Sequence, residues 1–178
     1  MIDYAWLMLL FPLLGVLVNG FFGRRLGRRA VGWIGSGAIG LAFLAALGVL
    51  IAAGGAEGTE VELFTWITAG SFVVDFALLI DPLSALMAAV VTGVSFIIHV
   101  YSTGYMADDE RYARYFTYLN LFVFAMLILV LANNYLVMYV GWEGVGLCSY
   151  LLIGFWFERK SAADAGKKAF IVNRVGDF

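Results

Sequence analysis

Cysteine, histidine and charge are all scarce in this chain, and each shortage removes a class of function. Its 178 residues include one cysteine, Cys148, and one histidine, His99. A lone cysteine builds neither a disulfide framework nor an iron–sulfur site, and a lone histidine cannot supply paired ligands to a haem. No cluster has metal-ligand spacing, and no glycine-rich dinucleotide loop follows a strand. Charged residues are 13% of the chain and hydrophobic residues 63%, whereas soluble domains carry about 25% and about 45–50%. The mean hydropathy of +0.92 belongs to a membrane protein. A net charge of −2, with basic residues in short clusters, offers no continuous groove for nucleic acid. The first apolar run has neither a basic segment before it nor a small-residue cleavage site after it. It therefore reads as a retained span and not as a signal peptide.

What is present in quantity is apolar sequence in long runs. A helix needs about 20 residues to cross a hydrocarbon core of roughly 30 Å. Runs of that kind lie at about 4–22, 31–53, 83–104, 114–132 and 135–157. A sixth begins near Ala162 and still continues at Phe178, without cap or polar flank, so the chain is expected to be part of a longer protein. The fold class expected is an all-α polytopic membrane protein with five full spans and the start of a sixth. Between spans two and three, 54–59 is rich in turn residues and 61–76 in β-branched and aromatic ones. A short extramembrane β-hairpin is expected at about 57–78. Basic residues follow span one (Arg24, Arg25, Arg28, Arg29), span three (Arg111, Arg114) and span five (Arg159, Lys160, Lys167, Lys168). These are alternate loops, so the positive-inside rule puts them in the cytoplasm and the N-terminus and hairpin outside. Trp6, Trp66, Tyr4, Tyr135, Tyr139 and Trp156 fall near span ends, as interface anchors do.

Within the fifth run stands one carboxylate, Glu143, in Gly141-Trp142-Glu143-Gly144-Val145-Gly146. A charge at the bilayer centre costs roughly 2.5–3.5 kcal/mol on insertion scales, so an acid kept there points to function. Asp177 is expected at similar depth on the next, antiparallel helix. Arg174 lies three residues before Asp177 and seven after Lys167, and at about 100° per residue all three project from one side. A buried carboxylate without a partner becomes neutral, and a nearby cation returns it to the ionised form. Moving such a cation would switch Glu143 between proton donor and acceptor, with Arg174, Asp177 and a lysine completing a relay. The competing reading is a static ion pair that fixes helix packing, and the cost of burying charge favours function over it. Gly141, Gly144 and Gly146 permit close helix approach and access of water to the acid. His99, near the inner end of span three, is suited either to proton transfer or to a plain hydrogen bond with a neighbouring helix. Asp81, before Pro82, reads first as a helix cap, and Asp108-Asp109-Glu110 as a solvated loop.

The block Leu136-Val137-Met138-Tyr139-Val140-Gly141-Trp142-Glu143-Gly144-Val145-Gly146-Leu147-Cys148-Ser149-Tyr150-Leu151-Leu152-Ile153-Gly154-Phe155-Trp156 resembles the subunit L family of the bacterial proton-pumping NADH:quinone oxidoreductase, respiratory complex I. So do Lys168-Ala169-Phe170-Ile171-Val172-Asn173-Arg174-Val175-Gly176-Asp177, Asp81-Pro82-Leu83-Ser84 and His99-Val100-Tyr101-Ser102-Thr103-Gly104-Tyr105-Met106. The resemblance implies an antiporter-like membrane-arm subunit, built of inverted repeats of five helices, that translocates protons. Glu143 then stands at the key glutamate of the fifth helix, with Arg174 and Asp177 in the same charged network. Lys168 matches a family position at the cytoplasmic entrance. The family's partner lysine, on the seventh helix, is expected beyond Phe178, and neither Lys167 nor Lys168 replaces it. NADH, FMN, iron–sulfur clusters and quinone are expected in other subunits, with no cofactor in this chain. The partners implied are the other membrane-arm subunits, especially neighbouring antiporter-like ones, the lipid bilayer, protons and water, with no nucleic acid. The expected location is a bacterial inner membrane. The alternative is the large subunit of a multi-subunit Na+/H+ antiporter, whose members vary in the block after Trp-Glu. The orientation is open to test by protease added to sealed vesicles. Cleavage of the Arg24–Arg29 loop is expected from the cytoplasmic face alone, and cleavage from the outer face overturns the assignment.

Overall fold

In the computed structural model, which describes residues 2–54 and 58–177, the chain forms six helices and one hairpin. A single 3-10 turn (Ile2–Tyr4) leads into α1 (Leu7–Phe22) and α2 (Arg28–Ala53). Strands β1 (Thr59–Ala69) and β2 (Phe72–Ile80) follow, then α3 (Pro82–Tyr105), α4 (Tyr112–Leu131), α5 (Tyr135–Ile153) and α6 (Lys160–Asp177). Among the described residues five helices, α1 to α5, are long and apolar enough to cross a membrane. Helix α6 is not one of them, because Lys160, Asp164, Lys167 and Lys168 make its first half polar. Expected positions 57 and 178 lie outside the described residues.

Small residues hold the helices together, as expected where lipid removes the hydrophobic drive for association. The buried stripe of α2 runs Gly35, Ile39, Ala42, Ala46, Val49 and Ala53, the three- and four-residue steps of one helix face. Helices α2 and α3 interlock through reciprocal phenylalanine–glycine contacts. A Cβ at Gly40 would lie 3.0 Å from the Phe96 ring, and one at Gly93 would lie 2.8 Å from the Phe43 ring. The main core joins α1, α2, α3, α4 and β2 through Met8, Ile39, Leu78, Ile80, Ala88, Val123 and Leu127, and reaches the start of α5 at Val137. Helix α5 stops at Ile153, short of the apolar run's end at Phe157. Gly154 is the C-cap, and a Cβ on Gly166 of α6 would lie 3.3 Å from its backbone.

The antiparallel hairpin pairs Thr59 with Ile80 and Ala69 with Phe72, turning at Gly70, whose φ of 63° suits glycine. Along β2, Val74, Leu78 and Ile80 share one face and are buried, with Leu78 and Ile80 in the main core, and Ala77 on the opposite face is buried as well. The short connection between α4 and α5 clasps it. Asn133 N–H donates to the Ala77 carbonyl at 3.2 Å, and Asn134 Nδ2 donates to the Asp75 carbonyl at 2.9 Å. Asn134 also caps α5, its Oδ1 accepting from Val137 N–H at 3.0 Å. The same two asparagines thus start the functional helix and fix the hairpin.

Asp81 closes a capping box at the start of α3. Its Oδ1 accepts from Ser84 N–H at 2.6 Å, while Asp81 N–H donates to Ser84 Oγ at 2.9 Å, and Pro82 occupies the first turn where no N–H is missed. Hydrogen bonds from the Ser84 N–H, then from its hydroxyl, hold the Asp81 carboxyl below its ordinary value. Asp81→Ala is expected to cost about 1 kcal/mol in reversible denaturant unfolding in micelles, with Asp81→Asn recovering most of it. Because the folded value is lowered, the ionised cap contributes fully at neutral pH. The contribution fades as pH falls past 3.8 through the folded value, so wild type and Asp81→Ala should converge in acid.

Candidate functional site

The glycines around Glu143 divide their work between two faces of α5. A side chain at Gly141 would strike the Leu129 backbone, and a Cβ at Gly144 would lie 2.8 Å from the Ala125 Cβ, so these two seat α5 against α4. Gly146 faces α6, where a Cβ would stand 2.9 Å from Arg174 Nη2. Its missing side chain is the space that the guanidinium occupies.

Arg174 joins both acids. Its Nη1 pairs with Glu143 Oε2 and stands 3.3 Å from Asp177 Oδ2, three residues along its own helix. Trp142 closes the group from α5, its Nε1–H donating to Asp177 Oδ1 at 2.5 Å. The guanidinium lies 4.9 Å from the Phe170 ring centre, within cation–π range. Its Nε is buried with no hydrogen-bond partner among the described residues. The side chains are partly buried, with Asp177 only 11% exposed. A cleft of about 190 Å³, lined by Trp142, Gly146, Ser149, Asn173 and Asp177 among others, opens beside the cluster. It is large enough for several waters. Two carboxylates share one guanidinium, so with both acids ionised the group carries one net negative charge.

The remaining candidates lie elsewhere. Lys168 is exposed, and the ion pairs among the described residues join only arginines to acids. Lys167 lines a separate cleft with Arg114, Tyr118 and Tyr150. His99 is 1% exposed inside the bundle of α1 to α4. Its Nδ1 lies 2.7 Å from the Ser95 carbonyl and its Nε2 3.4 Å from Asn120 Nδ2. A carbonyl only accepts, so the Ser95 contact calls for a proton on Nδ1, while Asn120 presents its NH2 to Nε2. Phe116 supports the ring edge-on, with centroids 5.9 Å apart.

Three members of these polar groups escape a search confined to ionisable residues. Trp142 joins the charged cluster through a neutral N–H. Asn120 and Asn19, 0% and 2% exposed, flank His99 and Gly35. Asn120 Nδ2 also donates to the Phe116 carbonyl at 2.9 Å, while the Oδ1 atoms of both asparagines have no hydrogen-bond partner among the described residues. The available signal is an amide side chain inside an otherwise apolar span, as costly there as an unpaired hydroxyl.

Two family descriptions match the chain. "NADH-Ubiquinone oxidoreductase (complex I), chain 5 N-terminus" covers residues 66–116, and "NADH:quinone oxidoreductase/Mrp antiporter, TM" covers residues 132–178. NADH-quinone oxidoreductase subunit L of Mycobacterium tuberculosis is 49% identical over 98% of this chain and 28% of its own length. The Escherichia coli subunit L is 46% identical over 96% of this chain and 28% of its own, and that of Rickettsia bellii 44% over 98% and 27%. The chain thus spans little more than a quarter of the curated relatives it matches. In fold it is similar to a chain of the membrane-bound sulfane sulfur reductase, an archaeal respiratory membrane complex. That likeness has a TM-score of 0.77 at 16% identity, over 98% of this chain and 34% of the other. With both family descriptions falling on the hairpin-to-α4 segment and the Glu143 helix, and with such identity along nearly its whole length, the chain belongs to the NADH-quinone oxidoreductase subunit L family.

Proposed function

We propose that this chain is the Glu143-bearing part of a proton-translocating membrane-arm subunit of NADH:quinone oxidoreductase. Electron transfer among NADH, flavin, iron–sulfur clusters and quinone takes place in other subunits. The observation that carries the reading is Arg174, one permanent cation placed between Glu143 on α5 and Asp177 on α6. A guanidinium does not give up its proton, so it acts by position. Paired with Glu143 it favours the carboxylate; drawn toward Asp177 it leaves a buried acid that favours taking up a proton. Trp142 competes for Asp177 from the same side as Glu143, giving the arginine two alternative settings a short distance apart. The cleft at Ser149 and Asn173 supplies a polar approach for water. The cluster's net negative charge matches the need for a further cation, which the family provides as a lysine on its seventh helix. Lys168 serves the cytoplasmic entrance, and His99 is a secondary relay candidate.

The neighbours in this reading are the other membrane-arm subunits in a bacterial inner membrane, with the N-terminus outside and the basic loops cytoplasmic. The description matching 132–178 also includes the Mrp antiporters. The identities of 44–49% to quinone oxidoreductase subunits favour the respiratory assignment.

Glu143→Gln keeps the shape of the side chain and removes its proton chemistry. In the assembled complex in sealed vesicles, it is expected to lower protons moved per NADH oxidised by at least this subunit's share, while part of the NADH oxidation persists. Gly146→Val, which displaces Arg174 without touching an acid, is expected to act in the same direction. Unaltered pumping by Glu143→Gln would falsify the relay and leave Glu143 a packing residue.

A further inference from the structure

A second polar opening lies away from the Glu143 cluster, at the basic end of the bundle. There α2 begins and α3 ends, and the two enclose a cleft of about 540 Å³. Arg28, Arg29, Trp33 and Ser36 line one wall from successive turns of α2, Val100 and Thr103 the other from α3, and Tyr112 of α4 lies at the back. Gly32 makes the room, since a side chain there would press against the Tyr112 hydroxyl.

Its chemistry changes along its length. At the mouth, Arg28 donates from Nη1 to the Ala107 carbonyl, which leaves most of its five N–H donors uncommitted. Arg29 is exposed and its side chain has neither an ion pair nor a hydrogen bond among the described residues. The first turn of α2 adds outward N–H groups, since its N-cap is Gly27 and no side chain caps it. One acid opposes this charge. Asp109 feels Arg28, but it already accepts from Trp156 Nε1 at 2.9 Å and from Arg111 N–H at 2.7 Å. Beyond the arginines the walls turn apolar. Trp33 is 80% exposed and Val100 49%. Deeper still is Ser36, 7% exposed, whose hydroxyl has no hydrogen-bond partner among the described residues. A buried hydroxyl without a partner is costly, and here it faces a cleft with room for a ligand.

We propose that this cleft binds an anionic diacyl phospholipid, with its phosphodiester on Arg29 and Arg28, its glycerol-ester region reaching the Ser36 hydroxyl, and its acyl chains along Trp33 and Val100. Basic pockets between membrane helices, at the charged face of the bilayer, attract such headgroups. The Trp33–Val100 wall distinguishes a lipid from free phosphate, because only a lipid covers it.

Trp33 provides its own reporter. The full chain in phosphatidylcholine nanodiscs is titrated with phosphatidylglycerol brominated on its acyl chains, which quenches nearby indoles, and separately with equally brominated phosphatidylcholine. Trp33→Phe isolates the Trp33 signal from that of the other tryptophans. Half-quenching of Trp33 is expected at several-fold less phosphatidylglycerol than phosphatidylcholine. Arg29→Gln should weaken this preference by about fivefold, the effect of one basic residue at an anionic surface. Ser36→Ala should weaken phosphatidylglycerol binding with the charge intact. Equal quenching by the two lipids, or a preference unchanged in Arg29→Gln, overturns the proposal. Relief of quenching by millimolar inorganic phosphate overturns it in favour of a free-phosphate site.

Discussion

The pairing of Glu143 with Arg174 is the constraint around which the α5–α6 half of this structure is arranged. An isolated carboxylate in hydrocarbon is expensive, and so is an isolated guanidinium. Each therefore needs the other within contact distance, across two helices. Helix α6 buries little besides Gly166, so apolar packing contributes little to holding it in place. What brings it in is the Gly154–Gly166 approach at one end and the Arg174 ion pairs at the other. Such pairs contribute modestly to stability when intact, yet losing one partner costs more than the pair contributes, because the charge left behind stays partly buried and uncompensated. That asymmetry suits a device in which the cation shifts between acids and never leaves both.

The same constraint gives the glycines their positions. Gly141 and Gly144 bring α5 against α4, whereas Gly146 admits the arginine. If Gly146 carried even a methyl group, Arg174 Nη2 would have to give way. The short connection at Asn133 and Asn134 holds the other end of α5 to the hairpin and to the Val137 N–H. Glu143 is thus mounted on a helix fixed at its start, along one face and at its end, and Arg174 reaches it with a long side chain from α6.

Much of this was legible in the residues, and what was not shares one physical cause. Five spans follow from run length, because a bilayer imposes a minimum of about 20 apolar residues, and the hairpin follows from β-branched and aromatic content. Arg174 and Asp177 on one face follow from helical period. The same period put Lys167 there too, but seven residues are roughly 10.5 Å along the axis. Sharing a side does not bring a side chain to the same site, and Lys167 lines a cleft with Arg114 and Tyr118 instead. Trp142 at Asp177, the division among the three glycines and the clasp of Asn133 on the hairpin all depend on how helices cross. Crossing is set by contacts between distant residues, which periodicity within one helix does not record.

His99 shows how differently a neutral polar group is housed. Its proton on Nδ1 is held by the Ser95 carbonyl of its own helix, so Nε2 is the one position able to accept another. Asn120 faces that nitrogen with its NH2 while also donating to the Phe116 carbonyl. Protonation at Nε2 would put two donors face to face. For His99 to accept a proton, Asn120 must turn its amide and present Oδ1, the atom with no hydrogen-bond partner among the described residues. That turn would surrender the Phe116 hydrogen bond and gain one to a charged imidazole, and bonds to charged groups are the stronger kind. At Glu143 the proton would follow a cation that swings; at His99 it would follow an amide that rotates. The two sites share no residue, and Asn120 is the part of the second on which any exchange there depends.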